Sequence, residues 1–138
     1  MTETRRCPCG SAQPYAACCG LYIDGGQQPD TAERLMRSRY TAYTIKREPY
    51  LLRTWHVSTR PGELALEQSG GTKWLRLEII SIKAGDARDA QGSVEFVARY
   101  KVNGKAGRLH EVSRFTRDNG QWFYVDGEIA PMAIKPSR

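Results

Sequence analysis

The sequence predicts an α+β protein in which helices come first, a run of antiparallel strands follows, and a small metal knuckle precedes both. Three observations predict it. Apolar residues recur at helical spacing up to about Thr44 and at a period of two from Lys73 onward. Two Asn-Gly pairs, Asn103-Gly104 and Asn119-Gly120, punctuate the second region as two-residue hairpin turns. The only four cysteines fall within thirteen residues, Cys7 to Cys19. The knuckle takes residues 1–25 and the α+β domain residues 26–138.

The knuckle reads Cys7-Pro8-Cys9-Gly10-Ser11, then Tyr15-Ala16-Ala17-Cys18-Cys19-Gly20. Pro8, Gly10 and Gly20 suit tight turns that bring the two cysteine pairs together. Four thiolates make a closed tetrahedral site, and zinc is the metal such a site most often holds. Cys7, Cys9, Cys18 and Cys19 are the expected ligands and zinc the expected cofactor. With no open position for a substrate water, the site is expected to be structural. A redox role is the competing reading, but adjacent Cys18 and Cys19 form only a strained disulfide.

The totals bound the rest. The 138 residues allow one ordinary domain plus an appendage. No apolar run approaches the roughly 20 residues that span a bilayer. The polar stretch Met1 to Arg6 leads straight into the cysteines, with no apolar secretory segment. A cytoplasmic location with reduced thiols is the expectation, and no membrane role. Net charge is +6, yet the basic residues are evenly spread, nine up to Arg60 and twelve beyond it. A nucleic-acid face needs a basic stripe, so that partner is not expected.

Asp30 is read as an N-cap, with Glu33 closing a capping box. The helix carries Ala32, Leu35, Met36, Tyr40 and Tyr43 on one face. Arg39 falls in the middle of that stripe, while Arg34 and Arg37 fall on the opposite, solvent side. A guanidinium there needs a partner or a ligand. A second short helix is read over about Pro49 to Trp55, with His56 at its end. Ser58 to Gly71 reads as a loop with one short strand around Leu64 to Leu66.

In the sheet, Leu75, Leu77 and Ile79 alternate, then Ile80 and Ile82 take over, so a bulge is expected near Ile79-Ile80. The Asn103-Gly104 turn pairs Ala98 with Leu109, Phe96 with Glu111 and Val94 with Ser113. The Asn119-Gly120 turn pairs Phe115 with Tyr124 and Ser113 with Asp126. Cross-strand partners share a face. One face would then hold an apolar concavity containing Glu111, Asp126, Ser113 and Tyr124, with Arg39 as counter-charge. One slip would put His110 inside instead of Glu111. The other face carries Val97, Val112, Phe123 and Val125, which a homodimer would cover.

Cys7-Pro8-Cys9-Gly10-Ser11, Tyr15 and Cys18-Cys19-Gly20 resemble the SEC-C motif, a zinc knuckle at the end of the bacterial preprotein translocase motor. That version usually ends in Cys-His and docks an export chaperone. The resemblance implies a protein partner at the knuckle. Leu35 to Tyr43, Tyr50-Leu51, Thr54-Trp55-His56, Leu109 to Phe115 and Trp122 to Gly127 resemble the uncharacterised YchJ family. That resemblance implies a cone-shaped, cystatin-like (nuclear-transport-factor-like) domain, a curved sheet wrapped around helices and a cavity.

The favoured expectation is a zinc-binding cytoplasmic accessory protein that docks a partner through its knuckle. The alternative is a protein or enzyme that takes a small molecule in the cone. There Glu111 or Asp126 would be the base, Tyr124 or His110 a hydrogen-bond donor, and Arg39, Trp55, His56 and Ser113 ligand contacts.

Overall fold

The computed structural model describes residues 6–64 and 72–129. A 3₁₀ turn at Tyr15–Ala17 leads into a single helical turn, α1 (Gly20–Ile23), then α2 (Ala32–Thr44) and α3 (Glu48–Arg53). Four strands follow: β1 (Thr72–Ala84), β2 (Gln91–Val102), β3 (Lys105–Asp118) and β4 (Gln121–Ile129). They form one antiparallel sheet in the order β1-β2-β3-β4. The fold is therefore α+β, as the sequence predicts. No helix among the described residues is long and apolar enough to cross a membrane.

The helix ends differ slightly from expectation. Thr31, not Asp30, caps α2, its Oγ1 accepting the Arg34 N–H at 3.1 Å. Asp30 instead faces Arg34 as a loose ion pair at 3.7 Å. Thr31 wins because it is the last extended residue, which is where a cap must sit. Pro49 lies in the first turn of α3, where its missing N–H costs nothing. Leu64 is in no strand, its N–H donating to Glu48 Oε2, and Leu66 lies outside the described residues.

Both Asn-Gly pairs form two-residue turns with all four residues at positive φ, the mirror-image geometry that matches strand twist. The first turn sets β2 against β3 as predicted, with Phe96 opposite Glu111 and Val94 opposite Ser113. The bulge near Ile80 is also present, and a second occurs at Leu75. Leu75 and Ile80 are left largely exposed. The pairing of β3 with β4 departs from the uninterrupted register. Phe115 faces Tyr124 as expected, but Arg114 faces Asp126 and Ser113 faces Gly127. Val125 is the extra residue. Its carbonyl accepts the Thr59 hydroxyl at 2.6 Å, so the loop after α3 satisfies the group the bulge frees.

α2 lies across the concave side of the sheet. Its first turn is pinned there: Ala32 N–H donates to the Gly85 carbonyl, and a Cβ on Gly85 would meet Ala32 Cβ at 2.8 Å. Gly85 also has φ +89°, so glycine is required twice over. The core packs Leu35, Leu51, Val94, Phe96, Phe115 and Trp122 into one cluster, each such side chain contributing roughly 1.5–3 kcal/mol. Trp122 also donates its indole N–H to the Asp30 carbonyl, tying β4 to the start of α2.

The same cluster includes Cys7, Cys9, Cys19, Tyr22 and Ile23. The knuckle is thus packed on α2 rather than tethered beside it. The face of α2 read as solvent-facing is covered: Ser38 and Thr41 are fully buried, and Arg37 is largely covered. Small Ser38, Thr41 and Ala42 let the knuckle approach the helix closely. Asp24 fastens the seam, accepting from Tyr15 at 2.8 Å and from Arg47 at 2.6 Å. The Tyr15 hydroxyl, then Arg47, hold its carboxyl below the ordinary range.

Candidate functional site

Two sites emerge, one on each side of α2. At the knuckle, the Sγ atoms of Cys7, Cys9, Cys18 and Cys19 all lie within 4.8 Å of one another. A tetrahedron with metal–sulfur bonds of about 2.3 Å needs sulfurs about 3.8 Å apart, and Cys9 and Cys18 stand at 3.7 Å. The four cysteines fit a metal ion. None is in a disulfide.

Each sulfur also has a hydrogen-bond donor beside it. Thr41 Oγ1 donates to Cys19 Sγ at 3.3 Å and lies 3.6 Å from Cys7 Sγ. Ser11 Oγ lies 3.1 Å from Cys18 Sγ. Arg37 Nη1 donates to the Cys9 carbonyl at 2.8 Å and sits 3.9 Å from its sulfur. Glu33 holds that guanidinium in place at 2.9 Å. Such outer partners orient ligands and offset their excess negative charge. Arg6, the described arginine that precedes the cluster in sequence, donates instead to Ala12 O at 3.3 Å. Thr41 and Arg37 were missed because helical periodicity alone gives them to solvent. Their signal was a hydroxyl and a guanidinium on a helix with a thiol cluster nearby in sequence. Hydrogen bonds from Cys19 and Cys9 hold the Cys7 thiol well below its usual value, and the bond to Cys7 pushes Cys19 up.

On the other side of α2 the cone encloses a cavity of about 270 Å³. α2 contributes Met36, Arg39, Tyr40 and Tyr43, which is the predicted apolar stripe with its central arginine. The sheet contributes Trp74, Phe96, Ala98, Leu109, Glu111, Ser113 and Tyr124. Tyr40, Tyr43 and Trp74 were not singled out from the sequence, although both tyrosines lie on the stripe that was.

Arg39 is 4% exposed, so it does not reach an edge. Its Nη1 donates to the Leu51 carbonyl at 2.7 Å and to Thr54 Oγ1 at 2.8 Å. Its Cζ lies 4.5 Å from the Tyr124 ring centre and 5.0 Å from that of Trp55. The two rings meet edge to face at 5.0 Å. Trp55 therefore acts on Arg39 rather than lining the cavity. Reciprocal backbone bonds, His56 N–H to Tyr124 O at 2.7 Å and Tyr124 N–H to Thr54 O at 2.8 Å, lock this end of α3 to β4. Burial pushes the Arg39 pKa down.

Glu111 points into the cone and Ser113 Oγ donates to its Oε2 at 3.0 Å. The carboxylate lies over Gly127, where any Cβ would overlap Oε2. Arg39 and Glu111 form no ion pair with each other, contrary to expectation. Each is held by its own neighbours, and Glu111 acts on Arg39 only through its field. Burial, then the Glu111 charge, push the Tyr124 hydroxyl up to about 12. Burial also raises Tyr43. Both stay neutral donors beside the Glu111 carboxylate.

The remaining candidates lie elsewhere. Asp126 is a correction: the extra residue in β4 turns it to the outer face, where Arg114 grips it bidentately at 2.8 and 3.0 Å. His110 also faces outward, 2.7 Å from Glu95, whose carboxyl this contact lowers. His56 sits outside the cone, 2.8 Å from Ser58 Oγ and 3.1 Å from Asp118, with its ring against Phe123.

The comparisons match both parts. The SEC-C motif matches residues 6–21, and the domain described as "YchJ, middle NTF2-like domain" matches residues 31–127. A UPF0225 protein of Chromobacterium violaceum is 55% identical over 126 residues, covering 90% of this chain and 93% of its own. One from Bordetella pertussis is 48% identical, covering 89% and 92%. The solution structure of a SEC-C motif containing protein from Rhodopseudomonas palustris aligns with TM-score 0.81 at 29% identity, over 92% of this chain and all of that one. A crystal structure of another, from Psychrobacter arcticus, aligns at 0.75 and 24% identity, covering 94% and 85%, and shows the fold alone.

Proposed function

This chain belongs to the YchJ family of UPF0225 proteins, and we propose that it is a small-molecule-binding protein whose N-terminal cysteines hold zinc as a staple. One observation carries the reading. A walled cavity of about 270 Å³ contains a buried arginine and a carboxylate that do not neutralise each other. Pockets of mostly aromatic lining with a few convergent polar groups are the usual form of a ligand site. Zinc is supported by four clustered thiols with a donor beside each sulfur. Three of those cysteines are buried against α2, which supports a stapling role for the metal.

Leu109→Trp should fill the cavity from a half-buried position at little cost to folding. A fragment screen by ligand-observed NMR should give binders that the natural chain holds and Leu109→Trp does not. If none bind, or if they bind both proteins equally, the cavity is not a ligand site.

A protein partner at the knuckle is the second reading, favoured by the rim that α2 leaves uncovered: Gly10, Ala12, Gln13, Pro14, Ala16 and Ala17 are exposed. Ala16→Arg with Ala17→Arg should abolish a complex that the metal-loaded protein forms and purifies with. Retention of that complex by the double variant would remove the rim from consideration.

A further inference from the structure

We infer that the cone selects a net-neutral ligand of the amino-acid type, with a carboxylate, an ammonium group and an apolar side chain; this rests on the cavity reading above. The argument starts from what the cavity leaves unsatisfied. A guanidinium has five N–H donors. Arg39 uses Nη1 on Leu51 and Thr54, while Nε and Nη2 have no carbonyl or carboxylate partner among the described residues. The Tyr43 hydroxyl also interacts with this guanidinium. A 4%-exposed cation in that state, bordering a cavity, is built to receive an acceptor.

Glu111 poses the opposite demand. Ser113 occupies Oε2, and Oε1 accepts no hydrogen bond from a described residue. A carboxylate is acceptor-only and needs a donor. Internal pairing would satisfy both groups, but the fold keeps them apart. Leu51, Thr54 and the rings of Trp55 and Tyr124 hold the guanidinium, while Ser113 and the bare backbone of Gly127 seat the carboxylate.

Charge then selects the ligand. A simple anion would satisfy Arg39 and place a second negative charge beside Glu111. A simple cation would satisfy Glu111 and repel Arg39. An uncharged donor–acceptor molecule would forgo both charge-assisted bonds, which are about twice as strong as neutral ones. Only a zwitterion meets both ends. Trp74, Phe96 and Leu109 offer its side chain an apolar wall. The volume, about 270 Å³, equals roughly nine liquid waters, the scale of one amino acid.

The test uses the full metal-loaded chain and three probes of one shape: phenylalanine, 2-phenylethylamine and 3-phenylpropionate. Calorimetric titration should show phenylalanine binding about tenfold tighter than either truncated probe. Glu111→Gln should erase its advantage over 3-phenylpropionate while leaving its advantage over the amine. If either truncated probe binds the natural chain best, or none of the three binds, the zwitterion assignment is overturned. The fragment screen against Leu109→Trp then decides separately whether the cavity binds anything. If phenylalanine binds Leu109→Trp as well as the natural chain, it sits outside the cone and this inference fails.

Discussion

Cys9→Ser will release the metal and lower the melting temperature by about 10 °C or more. The expectation follows from where the knuckle sits. Cys9 is fully buried, and Cys7 and Cys19 nearly so, inside the same apolar cluster as Leu35 and Leu51. Loss of one thiolate opens the site and takes from Arg37 the sulfur that lies 3.9 Å from its Nη1. A structural zinc site contributes folding energy outright, and a domain this size has only about 5–15 kcal/mol in total. A loss of about 3 kcal/mol is then a modest expectation. Cys18, the one partly exposed ligand, should cost less when changed to serine. Elemental analysis with thermal unfolding, before and after chelation, reads both effects. A chain that loses its metal and melts at the same temperature would show that the knuckle is not a staple.

Arg39→Met should cost little or no stability and at least about a hundredfold in ligand affinity. The two halves of that expectation have different causes. Burial disfavours the charged guanidinium more than its surroundings favour it, so its pKa is pushed down. A buried charge that makes no ion pair carries a desolvation cost, which an apolar side chain of similar length removes. The hydrogen bonds Arg39 gives up strand little, because the single Thr54 hydroxyl proton is shared between Tyr50 O at 2.7 Å and Leu51 O at 3.3 Å. A ligand in the cone, by contrast, would lose the buried guanidinium that borders it. Denaturant unfolding and probe titration on the same variant separate the two. A stability loss above about 3 kcal/mol would make Arg39 a framework residue instead.

How far these sites were legible in the sequence depended on whether the signal was local. The cysteine spacing and the Asn-Gly turns are local, so the cysteine cluster, both hairpins and the β2–β3 register followed directly. Arg39 was legible because one helix face is a fixed geometric fact. Arg37 and Thr41 were not, because a knuckle that packs on a helix leaves no mark on that helix's period. Asp126 was misplaced because a bulge without glycine or proline has no sequence signature, and Val125 looks like any strand residue. The pairing of Arg39 with Glu111 failed for another reason. Opposite charges on one face imply attraction, whereas Thr54, Leu51 and Ser113 had already claimed the two groups.

That bulge makes β4 behave like a switch with two settings. Val125 occupies no rung of the ladder, and every residue beyond it has its inside and outside exchanged. Asp126 is outside because of it, and Gly127 is inside, where its missing side chain gives Glu111 a seat. Were Val125 to take a rung opposite Arg114, the chemistry of the cone would change without a change of sequence. Asp126 would arrive opposite Ser113, the seat would vanish, and one carboxylate would become two. The register of this strand is as much a part of the cone's lining as its letters.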